Sequence, residues 1–289
     1  MSEQKILVAG LPESGKTTFL AALWHLVTSA ELPTELQFES LAGCDSTHLN
    51  KLKTNWLNAV VQTRTASATY IDVTIRLTSP EIGSVSLVFP DLSGEEYREL
   101  WERRAYYERF SEYLTSTSRV LLFVHADRIN KPRWVFDEAH VRRQLMVGAG
   151  TLTPTAWSPR LTPTQVQLVD LLQLLAQPPL DIGPRKLCLV LSAWDIAEGE
   201  ELVPADYLRE HLPLLHQFLD CNHDKWESIV VGVSAQGGDY GAVNDNDRPR
   251  AAAEAERVKS LDVPSARIRV VGLGDHDHDL TKIILWLSQ

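Results

Sequence analysis

Three cysteines in 289 residues, Cys44, Cys188 and Cys221, are too few and too scattered for a disulfide framework or a thiolate metal site. They are the expected reduced thiols of a cytoplasmic protein. Positive charge is also short: 28 Lys and Arg stand against 38 Asp and Glu, a net charge of −10. That balance excludes a general nucleic-acid binder and a binder of acidic membranes, both of which need a basic surface, although local basic patches stay open. No apolar run approaches the length of a membrane span. Met1 to Lys5 leads straight into a strand-like run instead of a long apolar stretch, so no signal peptide is expected. Internal repeats and low-complexity tracts are missing too. What remains is an ordinary globular composition, 44% hydrophobic and 23% charged, with enough apolar material for a sizeable core.

The informative segment is "GLPESGKTTF", Gly10 to Phe19, which fits G-x-x-x-x-G-K-[ST]. Such a loop surrounds phosphate groups only when it joins a buried strand to a helix. Upstream, "KILVAG" is a short apolar run ending in glycine; downstream, "TTFLAALWHLV" is apolar on one helical face. Gly10 and Gly15 let the backbone turn so that the loop through Pro12 faces the phosphates with successive N–H groups, those of Glu13, Ser14 and Thr18 among them. Lys16 is expected on the β- and γ-phosphates and Thr17 on Mg²⁺.

Three later segments repeat one plan, an apolar strand ending in a polar turn. "VSLVFPDLSGEEY" places Asp91 past a strand end, where a carboxylate serves Mg²⁺. Its Asp91-Leu92-Ser93-Gly94 is D-x-x-G, whose glycine N–H senses a γ-phosphate. "LCLVLSAWDIAE" presents Ser192-Ala193-Trp194-Asp195 in the place of [NTS]-K-x-D. There Asp195 would accept the guanine N1–H and N2–H. Ala193 replaces the lysine whose stem covers the base, with Trp194 either packing nearby or lying in the core. "IVVGVSAQGG" supplies Ser234-Ala235-Gln236, matching the short S-A-x loop behind the guanine.

Together with "GKTTFLAALWHL", "HLNKLKTNWLNAVVQTRT" and the terminal "HDLTKIILWLSQ", these motifs resemble GTPases of the translation-factor-like (TRAFAC) class. More closely, the chain is similar to the bacterial double-GTPase family of prokaryotic conflict systems. The resemblance implies GTP and GDP with Mg²⁺ as cofactors and an antiviral defence or signalling role. It also implies a protein partner in a multi-component complex, an effector or an activator.

Alternating strands and helices predict an α/β P-loop NTPase fold, a mostly parallel, doubly wound sheet with an antiparallel edge hairpin and rim insertions. The hairpin is "ATYIDVTIRL" with "SVSLVF". We expect a single GTPase-like domain over 1–289, with insertions near 36–62, 127–184 and 237–264. The last begins as a glycine-bearing acidic loop, read as mobile. In the first switch, Thr63 and Thr65 are the candidates to ligate Mg²⁺, and Thr65 fits the family pattern. Arg64 beside it is either a finger in cis or a solvated loop residue. Glu95 stands where many small GTPases orient the attacking water with glutamine, and it opens the charged helix "EEYRELWERRAYYERFSEYL", the second switch. The run "DHDHD" is read as an N-cap supplied by Asp279, in preference to a metal site. A small-molecule kinase and a nucleotide-binding scaffold without turnover remain as alternatives to the GTP switch.

Overall fold

A computed structural model of the protein describes residues 4–42, 46–61, 73–89, 101–103, 108–132, 158–241, 248–274 and 277–289. Its centre is an eight-stranded sheet in the order β2-β3-β4-β1-β5-β6-β7-β8. The strands are β1 (Gln4–Gly10), β2 (Gln37–Ala42), β3 (Val73–Ser79), β4 (Gly83–Phe89), β5 (Arg119–His125), β6 (Arg185–Ser192), β7 (Trp226–Ser234) and β8 (Arg269–Val271). Strands β4, β1, β5, β6 and β7 run parallel. Their apolar runs are continuous because helices cover both faces.

The sheet is antiparallel at both ends. Strand β3 pairs with β4 as the expected hairpin, β2 adds outside it, and β8 closes the far side on β7. From β4 the chain crosses over β1 to β5 and continues outward to β7, so the winding reverses at β1. The C-terminal end of the strands at such a reversal is where open α/β sheets bind ligands.

One face carries α1 (Lys16–Ser29), α2 (Ser46–Leu57) and the C-terminal helix, with Phe19, Leu23, Trp56, Ile283 and Leu287 buried against the sheet. The other face carries α3 (Glu108–Ser116), α4 (Thr164–Leu175), α6 (Pro204–His211) and α7 (Pro213–Cys221). Between β6 and α6 lies the one-turn α5 (Trp194–Ala197). Helix α4 falls within the stretch read from sequence as a rim insertion. It is nonetheless the crossover between parallel β5 and β6, and its Leu168, Leu172 and Leu175 are core.

The segment 237–264, read as a loop, contains α8 (Arg248–Lys259). Its guanidiniums bind the loop before it: Arg257 Nη2 donates to the Gly237 carbonyl at 2.6 Å, and Arg250 pairs with Asp239. The helix was missed because only Ala251 and Val258 are buried, too few to show an apolar period.

The final helix, α9 (Thr281–Ser288), packs on the sheet as expected. Asp279, 3% exposed, caps it: Oδ1 accepts from the Thr281 N–H at 2.8 Å and from its hydroxyl at 2.7 Å. The other oxygen accepts from the Glu35 N–H at 2.8 Å, tying the end of the chain to the approach to β2. Asp277 pairs with Lys282, and His278 Nδ1 donates to the Ile268 carbonyl at 2.5 Å. The described part of the acidic run is thus taken up by capping and ion pairing; Asp275 and His276 lie outside the described residues.

Candidate nucleotide site

Register places the motif ends side by side. Gly10 at the end of β1 lies opposite Phe123 of β5, His125 opposite Ser192 of β6, and Ser192 opposite Val233 of β7. Three loops that are far apart in the chain therefore leave the sheet along one rim.

The phosphate loop has the backbone its glycines predict. Gly10 has φ +150°, and a Cβ there would stand 2.7 Å from both the Phe123 carbonyl oxygen and Ser14 Oγ. Gly15 has φ +88°, and a Cβ there would meet Ser192 Oγ at 2.8 Å. Gly10→Ala should therefore lower folding stability by about 2 kcal/mol or more, from left-handed strain plus a clash with main chain. Urea unfolding monitored by circular dichroism would measure the shift in midpoint.

Helix α1 begins directly after Gly15, with Lys16, Thr17 and Thr18 in its first turn. No side-chain hydrogen bond caps this end and no acid lies in the first turn. Unscreened N–H groups and the positive end of the helix dipole are what an anion needs. The Lys16 ammonium folds onto the loop, donating to the carbonyls of Gly10 at 2.7 Å and Leu11 at 2.9 Å and to Ser14 Oγ at 3.3 Å. Burial lowers its pKa to about 7, so this group is poised to gain charge when an anion arrives.

The Ser192 hydroxyl donates to the Ser14 carbonyl at 2.9 Å, joining the end of β6 to the phosphate loop. Ala193 follows with φ +53°, and Asp195 lies in the first turn of the short helix α5. The charge of Asp195 reaches His125 at the end of β5, and Tyr240 and Arg257 beyond β7. Trp194 is a different matter. Its ring, 2% exposed, packs on Gly232, where a Cβ would lie 2.4 Å away, and edge-on to Tyr207. Of the two placements the sequence left open, the ring takes the one in the core.

The turn Ser234-Ala235-Gln236 is fixed from beneath. Trp56 Nε1 donates to the Ala235 carbonyl at 2.8 Å across 179 residues. Arg267, with its guanidinium 3.3 Å from the centre of the Trp56 ring, donates to the Trp56 carbonyl. Burial brings the Arg267 pKa down to about 10. Gln236 Nε2 donates to the Gly238 carbonyl at 2.9 Å, and the Ser234 hydroxyl is buried without a partner among the described residues. Sequence reading missed Trp56 and Arg267 as supports because nothing local marks a contact between an inserted helix and a distant turn.

Thr63, Arg64, Thr65, Asp91, Gly94 and Glu95 lie outside the described residues. Of the stretch read from sequence as the second switch, residues 101–103 and 108–114 are described, and Trp101 Nε1 donates to the Pro159 carbonyl at 3.3 Å.

A phosphate loop at the sheet's reversal point, with two further strand-end motifs on the same rim, defines a P-loop protein with the motif order of GTPases. The chain belongs to the Double-GTPase 1 family, whose model matches residues 7–287, and it is a GTPase of the P-loop class. Among solved structures it is similar to the Arl6 BBS3 small GTPase from Trypanosoma brucei with bound GppNp, at 14% identity and TM-score 0.38 over 90% of this chain and 98% of that one. It is also similar to the bacterial selenocysteine-specific elongation factor EF-Sec, at 14% identity and TM-score 0.36, over 91% of this chain and 30% of that one. A third is the S. cerevisiae Ski7 GTPase-like domain bound to GTP, at 14% identity and TM-score 0.41, over 84% and 45%. No curated protein matches in sequence. No helix among the described residues is long and apolar enough to cross a membrane.

Proposed function

We propose that the protein is a GTP-operated switch that hydrolyses GTP slowly to GDP and phosphate and changes its affinity for a protein partner as it does so. The observation that supports this most directly is the Ser192–Ser14 bond of 2.9 Å, which joins the turn carrying the base motif to the loop carrying the phosphate motif. One ligand can then engage both. The loop from Gly10 to Thr18 surrounds the phosphates, Lys16 offsets charge on the β- and γ-phosphates, and Asp195 reads the guanine edge with Ser234 to Gln236 behind it.

The donor set fits Mg²⁺: Thr17 stands at the start of α1, and Asp91 and Thr65 are hard oxygen ligands of the kind this ion takes. When bound, the ion neutralises phosphate charge. Glu95 polarises the attacking water, and its own negative charge beside the γ-phosphate makes unaided turnover slow. A partner in a bacterial defence or signalling complex, the setting implied by the family resemblance, supplies what the site lacks.

Purified protein in excess over Mg·GTP should release phosphate and GDP at a rate on the order of 10⁻³ s⁻¹ or slower. A phosphorylated acceptor in place of free phosphate would establish the kinase reading. No release in a single turnover, with or without candidate partners, would leave a static scaffold.

A further inference from the structure

The phosphate loop carries an acid of its own. Glu13 has φ 61° and sits between Pro12 and Ser14, on the segment that faces the most negative part of a nucleotide. A carboxylate there repels the ligand, and the repulsion grows with each added phosphate. In the structure Glu13 Oε2 accepts a hydrogen bond from Arg128 Nη1 at 2.7 Å.

Arg128 ends the 3₁₀ turn Ala126–Arg128, directly after β5. The turn itself is anchored: the Tyr207 hydroxyl donates to the Ala126 carbonyl at 2.9 Å, and the Asp127 N–H donates to His125 Nδ1 at 3.2 Å. Its guanidinium is not, with 58% of the side chain exposed against 36% for Glu13. Beneath the pair lies a cavity of about 140 Å³ lined by Pro12, Glu13, Ser14, His125, Arg128 and Thr164, among others. Packing therefore does little to hold the two side chains together. An exposed pair of this kind also adds little to folding stability, so its significance lies in its position. His125, on the same cavity, offers no second cation: burial, and next the charge of Arg128, keep its pKa below the ordinary range.

We propose that Arg128 is a positioning residue for the nucleotide, acting through Glu13: it offsets the carboxylate of the phosphate loop and so makes an acidic loop able to hold a triphosphate. The inference rests on the loop being a nucleotide site.

Titrations with fluorescent GTP and GDP analogues in the presence of Mg²⁺ test it on the full chain. Arg128→Ala should weaken the GTP analogue about tenfold and the GDP analogue less, with the loss shrinking at high salt. Arg128→Lys should retain most of the affinity. The double variant Glu13→Gln/Arg128→Ala should recover it, because the charge that needed offsetting is gone, and a folding defect would not recover in this way. Unchanged affinity in Arg128→Ala, or a loss that persists undiminished in the double variant, overturns the proposal. If the wild-type protein bound neither analogue, the nucleotide reading itself would fall, and this inference with it.

Discussion

Lys16→Ala is expected to weaken Mg·GTP binding by more than about a hundredfold, the largest effect of any single change outside the folding core. In the proposed function the side chain is the cation that helix α1 presents to the phosphates, and its ammonium lies within the loop, bonded to the Gly10 and Leu11 carbonyls. A pH signature accompanies it. The free-state pKa of about 7 lies below the ordinary lysine value of 10.5 because of burial, so above neutrality the ammonium is partly deprotonated. Bound phosphate favours the charged form and raises the pKa again.

Binding should therefore take up as much as one proton per site between pH 7 and the bound-state pKa. Affinity should fall as pH rises through that window, by at most about tenfold per unit. The sign for folding is the reverse. The unfolded chain binds more protons than the folded chain between pH 7 and 10.5, so Lys16 makes the nucleotide-free protein more stable as pH rises there. Calorimetry in buffers of differing ionisation heat would measure the proton uptake, and Lys16→Ala should abolish it. Equal Mg·GTP affinity in variant and wild type would remove the phosphate-loop assignment.

The parts of this site that could be read in the sequence are those in which one stretch carries both the strand and the chemistry. Ile6 to Gly10, Leu187 to Ser192 and Ile229 to Ser234 are each an apolar run ended by a residue that turns the chain, and parallel pairing puts their ends at one level. The hairpin and the C-terminal helix were legible for the same reason, a local period with a clear stop. Side-chain direction was not. Trp194 sits inside a motif, yet the absence of a side chain at Gly232 draws its ring into the core. The support of the base loop by Trp56 and Arg267, and the pairing of Glu13 with Arg128, depend on which loops the sheet order brings together, and no local pattern encodes that order. Helix α8 was hidden by its sparse burial, and its two arginine contacts with Gly237 and Asp239 anchor a segment whose composition reads as loose.

Asp195→Asn should lower GTP affinity about a hundredfold and raise affinity for xanthosine triphosphate. A carboxylate accepts both the N1–H and the N2–H of guanine. An asparagine places one donor against those two donors, leaving a buried N–H unpaired, whereas xanthine offers a carbonyl where guanine has the amine. The structure gives Asp195 the setting this requires. It comes two residues after a left-handed Ala193, it lies in the first turn of helix α5, and the hydroxyl of nearby Ser192 is bound to the phosphate loop. Its position is thus fixed by main chain and not by a flexible stem. The same geometry sharpens what Ala193 costs. With no lysine stem over the base and Trp194 committed to the core, selectivity rests on the Asp195 hydrogen bonds and on the turn at Ser234 to Gln236, held in place by Trp56. Hydrogen bonds of this kind reject the wrong base strongly because the alternative leaves polar groups unpaired. Competition of GTP, ATP and xanthosine triphosphate against a fluorescent GTP analogue, in wild type and variant, measures both points. GTP should displace the analogue from the wild type well before ATP does, and the order of GTP and xanthosine triphosphate should invert in the variant. Equal displacement by GTP and ATP in the wild type would show that Asp195 does not read the base, and the ligand would then be any nucleoside triphosphate.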